Sequence, residues 1–180
     1  MAQIAKLNPQ LFIGLGGIGS RIVDQIKRRA MDLPDWEERE ALTQFVALDT
    51  NSFDQRALKQ IDPANQLSLA VLNKAATLQN FRDAKNEQVT QWLPEQYKAR
   101  EGVTPGAGQV RLESRIGCFV QSRTIQDRLE QVMRSMLRPD LPARVSAPAD
   151  FFVHVYCTVA GGTGSGAFLP MAYLVRDAIH

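Results

Sequence analysis

Short apolar segments alternate with longer amphipathic segments along this chain. The apolar segments at residues 11–14, 43–48, 66–72 and 150–159 have the length and aliphatic content of buried β-strands. Between them, apolar residues recur at intervals of three and four, which predicts helices, the longest at about residues 110–137. Strands that alternate with helices form a mostly parallel sheet with helices on both faces, so the pattern predicts a Rossmann-like α/β fold.

The segments between these elements give weaker signals. Residues 32–40 are acidic and contain a proline, which predicts a surface loop, and residues 73–99 have a helical composition interrupted by a proline, which predicts one or two short helices. A helix is expected from residue 52 to about residue 60, and the last helix is expected from Ser165 onward. The strand at residues 150–159 is continuously apolar, so we expect it inside the sheet and not at an edge.

Two glycine-rich loops each follow a predicted strand and precede a predicted helix. The first glycine loop, residues 14–20, reads Gly-Leu-Gly-Gly-Ile-Gly-Ser, and the second glycine loop, residues 160–166, reads Ala-Gly-Gly-Thr-Gly-Ser-Gly. Backbone N–H groups at a helix N-terminus carry partial positive charge, and glycine lets phosphate oxygens approach them closely. Two such loops at the carboxyl ends of parallel strands predict a polyphosphate, and therefore a nucleotide, held between them.

Other interpretations of the same residues stay open. Gly14, Gly16 and Gly19 fit the G-x-G-x-x-G pattern of dinucleotide-binding folds. With Asp49 as the ribose-binding acid, the chain would be an NAD-linked oxidoreductase domain, although Asp49 follows Gly19 by about 30 residues and not the usual ~20. Neither glycine loop has the lysine of a P-loop. The glycines would also serve tight turns alone, and residues 49–51 would serve as a helix cap.

Composition and charge exclude several classes of function. The chain has 180 residues, of which 44% are hydrophobic and 22% charged, enough for one buried core. A formal net charge of +2 is too small to indicate binding to nucleic acid or to an anionic membrane. No apolar run approaches the ~20 residues that span a bilayer. Cys118 and Cys157 lie far apart and outside any C-x-x-C pattern, so we expect free thiols and a cytoplasmic location.

The second glycine loop resembles the signature of the tubulin/FtsZ superfamily, a G-G-G-T-G-(T/S)-G loop that wraps the phosphates of GTP. Three further segments agree in order. The first glycine loop resembles the first phosphate loop of FtsZ, residues 46–51 (Val-Ala-Leu-Asp-Thr-Asn) resemble the strand end written N-T-D, and Gly106-Ala-Gly108 resembles the loop that faces the terminal phosphate. The resemblance covers essentially the whole chain and points to the divergent bacterial tubulin-like proteins. It implies GTP or GDP as the ligand, with Mg²⁺ held through the nucleotide near Asp49.

The resemblance also implies which residues bind the nucleotide. Arg111 comes just after the third glycine loop, residues 106–109, and is close enough in sequence to pair with the terminal phosphate. The full set of implied nucleotide-binding residues is Gly14, Gly16, Gly17, Ile18, Gly19, Ser20, Asp49, Thr50, Asn51, Gly106, Ala107, Gly108, Gln109, Arg111, Ala160, Gly161, Gly162, Thr163, Gly164, Ser165 and Gly166.

The resemblance carries further expectations about the whole protein. The sequence ends at His180, inside the helix that follows the second glycine loop, whereas the superfamily reads guanine and positions the attacking water with residues further along. We therefore expect residues 1–180 to be the GTP-binding domain of a longer chain, or to be completed by another subunit. The superfamily implies head-to-tail filaments in which the subunit interface completes GTP hydrolysis. A non-polymerising module that uses the same fold to bind a partner is a further alternative.

Overall fold

The computed structural model describes residues 7–99, 107–137 and 150–179, and it contains strands and helices in alternating order. A short 3₁₀ turn at Pro63–Asn65 precedes the third strand. In chain order the strands and α-helices are β1 (Gln10–Leu15), α1 (Gly16–Ala30), α2 (Trp36–Glu40), β2 (Thr43–Asp49), α3 (Ser52–Arg56), β3 (Gln66–Ser68), α4 (Lys74–Asp83), α5 (Glu87–Thr90), α6 (Arg111–Val120), α7 (Ser122–Met136), β4 (Phe152–Tyr156) and α8 (Gly162–Ile179).

The described strands form one parallel sheet in the order β3-β2-β1-β4. The register places Gly14 of β1 opposite Ala47 of β2 on one side and Tyr156 of β4 on the other. Because the strands are parallel and in step, the segments that follow β1, β2 and β4 all leave the sheet at the same edge. The predicted α/β fold of Rossmann-like type is confirmed.

Helices cover both faces of the sheet, as the alternation along β1 and β2 requires. Leu11 and Ile13 are fully buried against the face that α7 and α8 cover, where Ile125 and Met171 are also fully buried. On the opposite face, Val23 of α1 packs with the aromatic side chains of β1 and β2. None of the helices in the described residues is both long enough and apolar enough to cross a bilayer.

The predicted helix at residues 110–137 is two helices, and the prediction of one was wrong. Gln121 lies between α6 and α7 with φ −96° and ψ 9°, outside the helical region. Both helices pack against α8, while α7 also contacts β2 in the sheet. One straight helix could not make both sets of contacts, so tertiary packing breaks a segment whose periodicity is continuous.

Two predicted strands are shorter than expected. Of the segment 66–72, only β3 pairs with its neighbour in the sheet. Beyond β3, the Ser68 hydroxyl accepts a hydrogen bond from Ala70 N–H at 3.2 Å, which turns the chain. The segment 150–159 pairs only over β4. Its predicted interior position is also wrong within the described residues, since β4 lies at an edge of the sheet and Phe152 is 44% exposed.

Several helix boundaries also differ from the predictions. The predicted loop at residues 32–40 contains α2, and α3 ends well before residue 60. The buried Asp24 carboxylate explains this end, because its Oδ1 accepts from the backbone N–H groups of residues 59–61 and turns the chain there. One or two short helices were predicted in residues 73–99, and the structure has two there, α4 and α5. Finally, α8 begins at Gly162, so the second glycine loop forms its first turn.

Candidate functional site

A cleft of about 340 Å³ lies where the segments after β1, β2 and β4 meet, at the carboxyl edge of the sheet. All three predicted glycine loops contribute to it, together with the end of β2. The residues that line the cleft are Leu15, Gly16, Gly17, Ile18, Arg21, Asp49, Asn51, Asp54, Ala107, Gly108, Gln109, Thr158, Gly161, Gly162, Thr163 and Gly164.

The first and second glycine loops are in direct backbone contact. A Cβ on Gly16 would lie 3.2 Å from both Gly164 N and Thr163 Cβ, and one on Gly164 would lie 3.0 Å from Leu15 O. Gly16 also has φ +74°, a conformation that glycine adopts without strain. The first residues of α1 and α8 therefore line one cleft side by side, and their N-terminal N–H groups add their partial positive charges there.

The third glycine loop closes another wall of the cleft. Ala107, Gly108 and Gln109 line it, and a Cβ on Gly162 would lie 2.8 Å from Gln109 Cα. Both Gly108 and Gln109 have positive φ, at +53° and +64°, which fixes a sharp turn just before α6. Of the predicted set, Gly106 lies outside the described residues.

Asp49 lies beneath the cleft with only 2% of its surface exposed. Its Oδ1 accepts hydrogen bonds from Asn51 N–H at 3.1 Å and from Thr163 Oγ1 at 3.2 Å. Since the Thr163 proton is donated to Asp49, Thr50 Oγ1, 2.7 Å away, must donate to Thr163. Burial raises the pKa of Asp49, and the hydrogen bonds from Asn51 and Thr163 offset part of that rise.

The second carboxylate oxygen of Asp49 is the one left for a ligand. Its Oδ2 is buried and has no hydrogen-bond partner in the described part of the chain. An unpaired carboxylate oxygen in a polar cleft is a suitable ligand for a hard cation. Among residues 7–99, 107–137 and 150–179, no group of three or more His, Cys, Asp or Glu side chains could hold a metal by itself. A cation here would therefore need further ligands from a bound anion and water.

Two charged residues on the rim of the cleft were absent from the predicted set. Arg21 of α1 and Asp54 of α3 both line the cleft, and Arg21 Nη2 lies 2.7 Å from Asp54 Oδ1. Asn51 Nδ2 donates to the other carboxylate oxygen of Asp54 at 2.7 Å. Sequence carried a partial signal for Arg21, because it lies one helical turn after Gly17 and so on the same side of α1. Nothing local pointed to Asp54, which is 33 residues away from Arg21.

The other predicted residues surround the cleft without lining it. A Cβ on Gly19 would overlap Tyr156 O, and one on Gly166 would overlap Arg111 O. These glycines allow the close approach of α1 to β4 and of α8 to α6. The Ser165 hydroxyl donates to Gly161 O. The predicted residues outside the lining are Gly14, Gly19, Ser20, Thr50, Arg111, Ala160, Ser165 and Gly166.

Arg111 is held at the outside of the second glycine loop. Its Nη2 donates to Val159 O at 3.3 Å, and the residue is exposed. The hydroxyl of Ser114, one turn further along α6, donates to Gly162 O at 2.9 Å. The start of α6 thus fixes the second glycine loop, and the donors that this loop leaves toward the cleft are mainly backbone N–H groups.

The fold and the cleft define an α/β protein with paired glycine loops at the carboxyl ends of adjacent parallel strands. A family model described as "Tubulin like" matches residues 11–180, and the chain therefore belongs to the tubulin-like family. No curated protein sequence matches the chain.

A solved structure shares the fold. CetZ from Methanosaeta thermophila is 19% identical with a TM-score of 0.56, over 95% of this chain and 34% of that one. The GDP-bound monomer of CetZ1 from Haloferax volcanii is 19% identical with a TM-score of 0.48, over 95% and 38%. TubZ of Bacillus thuringiensis serovar israelensis, in a GTPγS-form protofilament, is 13% identical with a TM-score of 0.49, over 96% and 34%. The chain thus spans about a third of the length of these proteins.

Proposed function

We propose that the chain is the nucleotide-binding part of a GTP-binding tubulin-like protein that assembles head to tail in the cytoplasm. The observation that carries this proposal is the contact between the first and second glycine loops, which puts the N-termini of α1 and α8 into one cleft. Backbone N–H groups from two helices, with little side-chain bulk in front of them, suit a chain of phosphates. Membership of the tubulin-like family favours GTP and GDP as the nucleotides.

Binding of a triphosphate in this cleft is expected to depend on Mg²⁺. In the described residues, Arg21 is the one cationic side chain of the lining, which also contains the two carboxylates of Asp49 and Asp54. A polyphosphate would add several negative charges to a lining that already has more carboxylates than cationic side chains. Mg²⁺ would supply the missing positive charge, and it usually binds through one or two carboxylates plus phosphates and water. Asp49 would hold it through the unpartnered Oδ2.

Completion of the site by a further segment or a second subunit is the next part of the proposal. Among the described residues, the outer edge of β4 pairs with no strand, and α8 exposes Phe168, Leu169 and Tyr173. The described cleft lining also contains no histidine or lysine to act as a general base, and its two carboxylates are poorly placed for that role, because Asp54 is paired with Arg21 and Asn51 and Asp49 is buried. We expect hydrolysis near background in dilute protein, and a specific rate that rises with protein concentration. A specific rate independent of concentration would contradict completion between subunits.

An NAD-linked oxidoreductase fits the same cleft less well. That function needs the acid at the end of β2 to accept from the ribose hydroxyls. Asp49 is 2% exposed and offers a single unpaired oxygen, Oδ2, which a small cation reaches more easily than a ribose does. A dinucleotide fold also has no need for a second glycine loop against the first. A partner-binding module that has lost nucleotide affinity is separated from the proposal by the experiment that follows.

The experiment is calorimetry with GTP, GDP, ATP and NADH, each with and without Mg²⁺, on the wild-type chain and two variants. Gly161→Val adds a branched side chain in the cleft, where a Cβ would meet only the Thr158 hydroxyl, at 2.9 Å. Ala160→Val enlarges the neighbouring exposed residue, which does not line the cleft. Both variants should remain folded, with thermal midpoints within a few degrees of the wild-type value, and only Gly161→Val should lose GTP binding.

The outcomes separate the alternatives. Mg²⁺-dependent GTP binding that Gly161→Val weakens about tenfold or more supports a phosphate site at the second glycine loop. Tight NADH binding without GTP binding would establish the redox alternative. If the folded wild-type chain binds none of the four ligands, the proposal is wrong for this chain, and a partner-binding role is favoured.

A further inference from the structure

An ion pair on the rim of the cleft joins two helices that are distant in sequence. Arg21 extends from the second turn of α1 and Asp54 from the first turn of α3, with Arg21 Nη2 2.7 Å from Asp54 Oδ1. The pair is partly open to solvent, since the two side chains are 64% and 27% exposed. Asn51 Nδ2 binds the second carboxylate oxygen of Asp54. Both carboxylate oxygens of Asp54 therefore have donors within the protein.

A phosphate group entering the cleft would compete with Asp54 for the same guanidinium. Arg21 lines the cleft and has five N–H donors in a planar fork, a geometry that suits phosphate as well as carboxylate. An exposed ion pair of this kind is weak, so a multiply charged phosphate can replace the carboxylate. Asp54 would keep its bond from Asn51 but would face the incoming negative charge at close range.

We propose that the Arg21–Asp54 pair is a latch that a bound polyphosphate opens, with the Arg21 guanidinium exchanging the Asp54 carboxylate for a phosphate oxygen. This inference rests on the proposed function. Arg21 then favours phosphate binding and Asp54 opposes it, by holding Arg21 away and by its own charge. The latch also links ligand occupancy to α3, because Asp54 belongs to its first turn and Asn51, whose side chain accepts from Phe53 N–H, is its N-cap.

A double-mutant cycle on phosphate binding tests the latch. Asp54→Asn, Arg21→Gln and the double variant are titrated with Mg²⁺-GTP, inorganic tripolyphosphate and guanosine at one fixed ionic strength. Asp54→Asn should raise the affinity for both phosphate ligands by about twofold to fivefold, which corresponds to the strength of an exposed ion pair. Arg21→Gln should lower both affinities by about fivefold to tenfold. The gain from Asp54→Asn should shrink in the Arg21→Gln background to the small part that charge repulsion alone supplies, and guanosine binding should not change.

The control is Asp35→Asn, which removes the carboxylate of another partly exposed ion pair, to Arg39 at 2.6 Å, away from the cleft. It should leave every affinity unchanged. A gain from Asp54→Asn that persists at full size without Arg21 would show charge repulsion alone and would overturn the latch, as would no gain at all in either background. A folded wild-type chain that binds neither GTP nor tripolyphosphate would instead contradict the proposed function itself.

Discussion

The contact between the second and third glycine loops leads to a sharp prediction for two adjacent glycines. Gly161 and Gly162 both line the cleft, and neither has a positive φ, so alanine at either position meets no backbone strain. They differ in the space around them. A methyl group on Gly162 would lie 2.8 Å from Gln109 Cα and Val110 N, whereas one on Gly161 would meet only the Thr158 hydroxyl, at 2.9 Å.

The magnitude follows from what must move. Ordinary contact at about 3.5 Å requires the backbone at Gln109 to retreat by about 0.7 Å in Gly162→Ala, away from a loop held by two positive φ angles. Overpacking of this size costs about 1 to 3 kcal/mol. In Gly161→Ala a single hydroxyl rotates, at the expense of its 3.2 Å bond from Gly161 N–H, so we expect about 0.5 kcal/mol or less.

Thermal unfolding of the nucleotide-free chain measures this difference. At roughly 2 to 4 °C per kcal/mol for a chain of this size, Gly162→Ala should lower the midpoint by about 2 to 12 °C and Gly161→Ala by no more than about 2 °C. Gly162→Ala should also weaken GTP binding, because the third glycine loop, which it displaces, forms one wall of the cleft. Equal midpoints for the two variants, or a larger loss for Gly161→Ala, would refute the packing argument.

Three further predictions concern buried polar groups. Thr163→Val removes the hydroxyl between Thr50 and Asp49, and should cost about 1 to 3 kcal/mol in urea unfolding; a change under about 0.5 kcal/mol would contradict the network. Because burial raises the pKa of Asp49, this carboxyl group keeps its proton to a higher pH in the folded chain than in the unfolded chain. The free energy of unfolding should therefore fall as the pH rises from the unfolded-state pKa of about 4 through the folded-state pKa. The midpoint of Asp49→Asn relative to wild type should therefore increase with pH, and a pH-independent difference would refute this. Burial raises the pKa of Cys118 to about 12, so maleimide at neutral pH should modify the half-buried Cys157 and reach Cys118 only on unfolding, as peptide mapping would show.

The sequence alone determined the elements whose signals are local. A buried strand and the first turn of a helix each depend on residues within a few positions of one another, so the alternating pattern predicted the parallel sheet correctly. The glycine loops were recognisable for the same reason. Their residue types and their positions after strands pointed to a phosphate site, and the resemblance that they carry pointed to the tubulin-like family.

Only the tertiary structure decided which residues meet across long stretches of chain. Local periodicity is the same whether β4 lies beside β1 or elsewhere. The sequence therefore predicted both glycine loops at one edge of the sheet, but not the direct contact of Gly16 with Gly164 or the Arg21–Asp54 pair. The same limit explains the break at Gln121, which packing against α8 imposes on an unbroken pattern. Glycines of one loop likewise look alike in sequence. The neighbouring backbone decides whether each one faces the cleft, as Gly161 does, or allows two helices to touch, as Gly166 does.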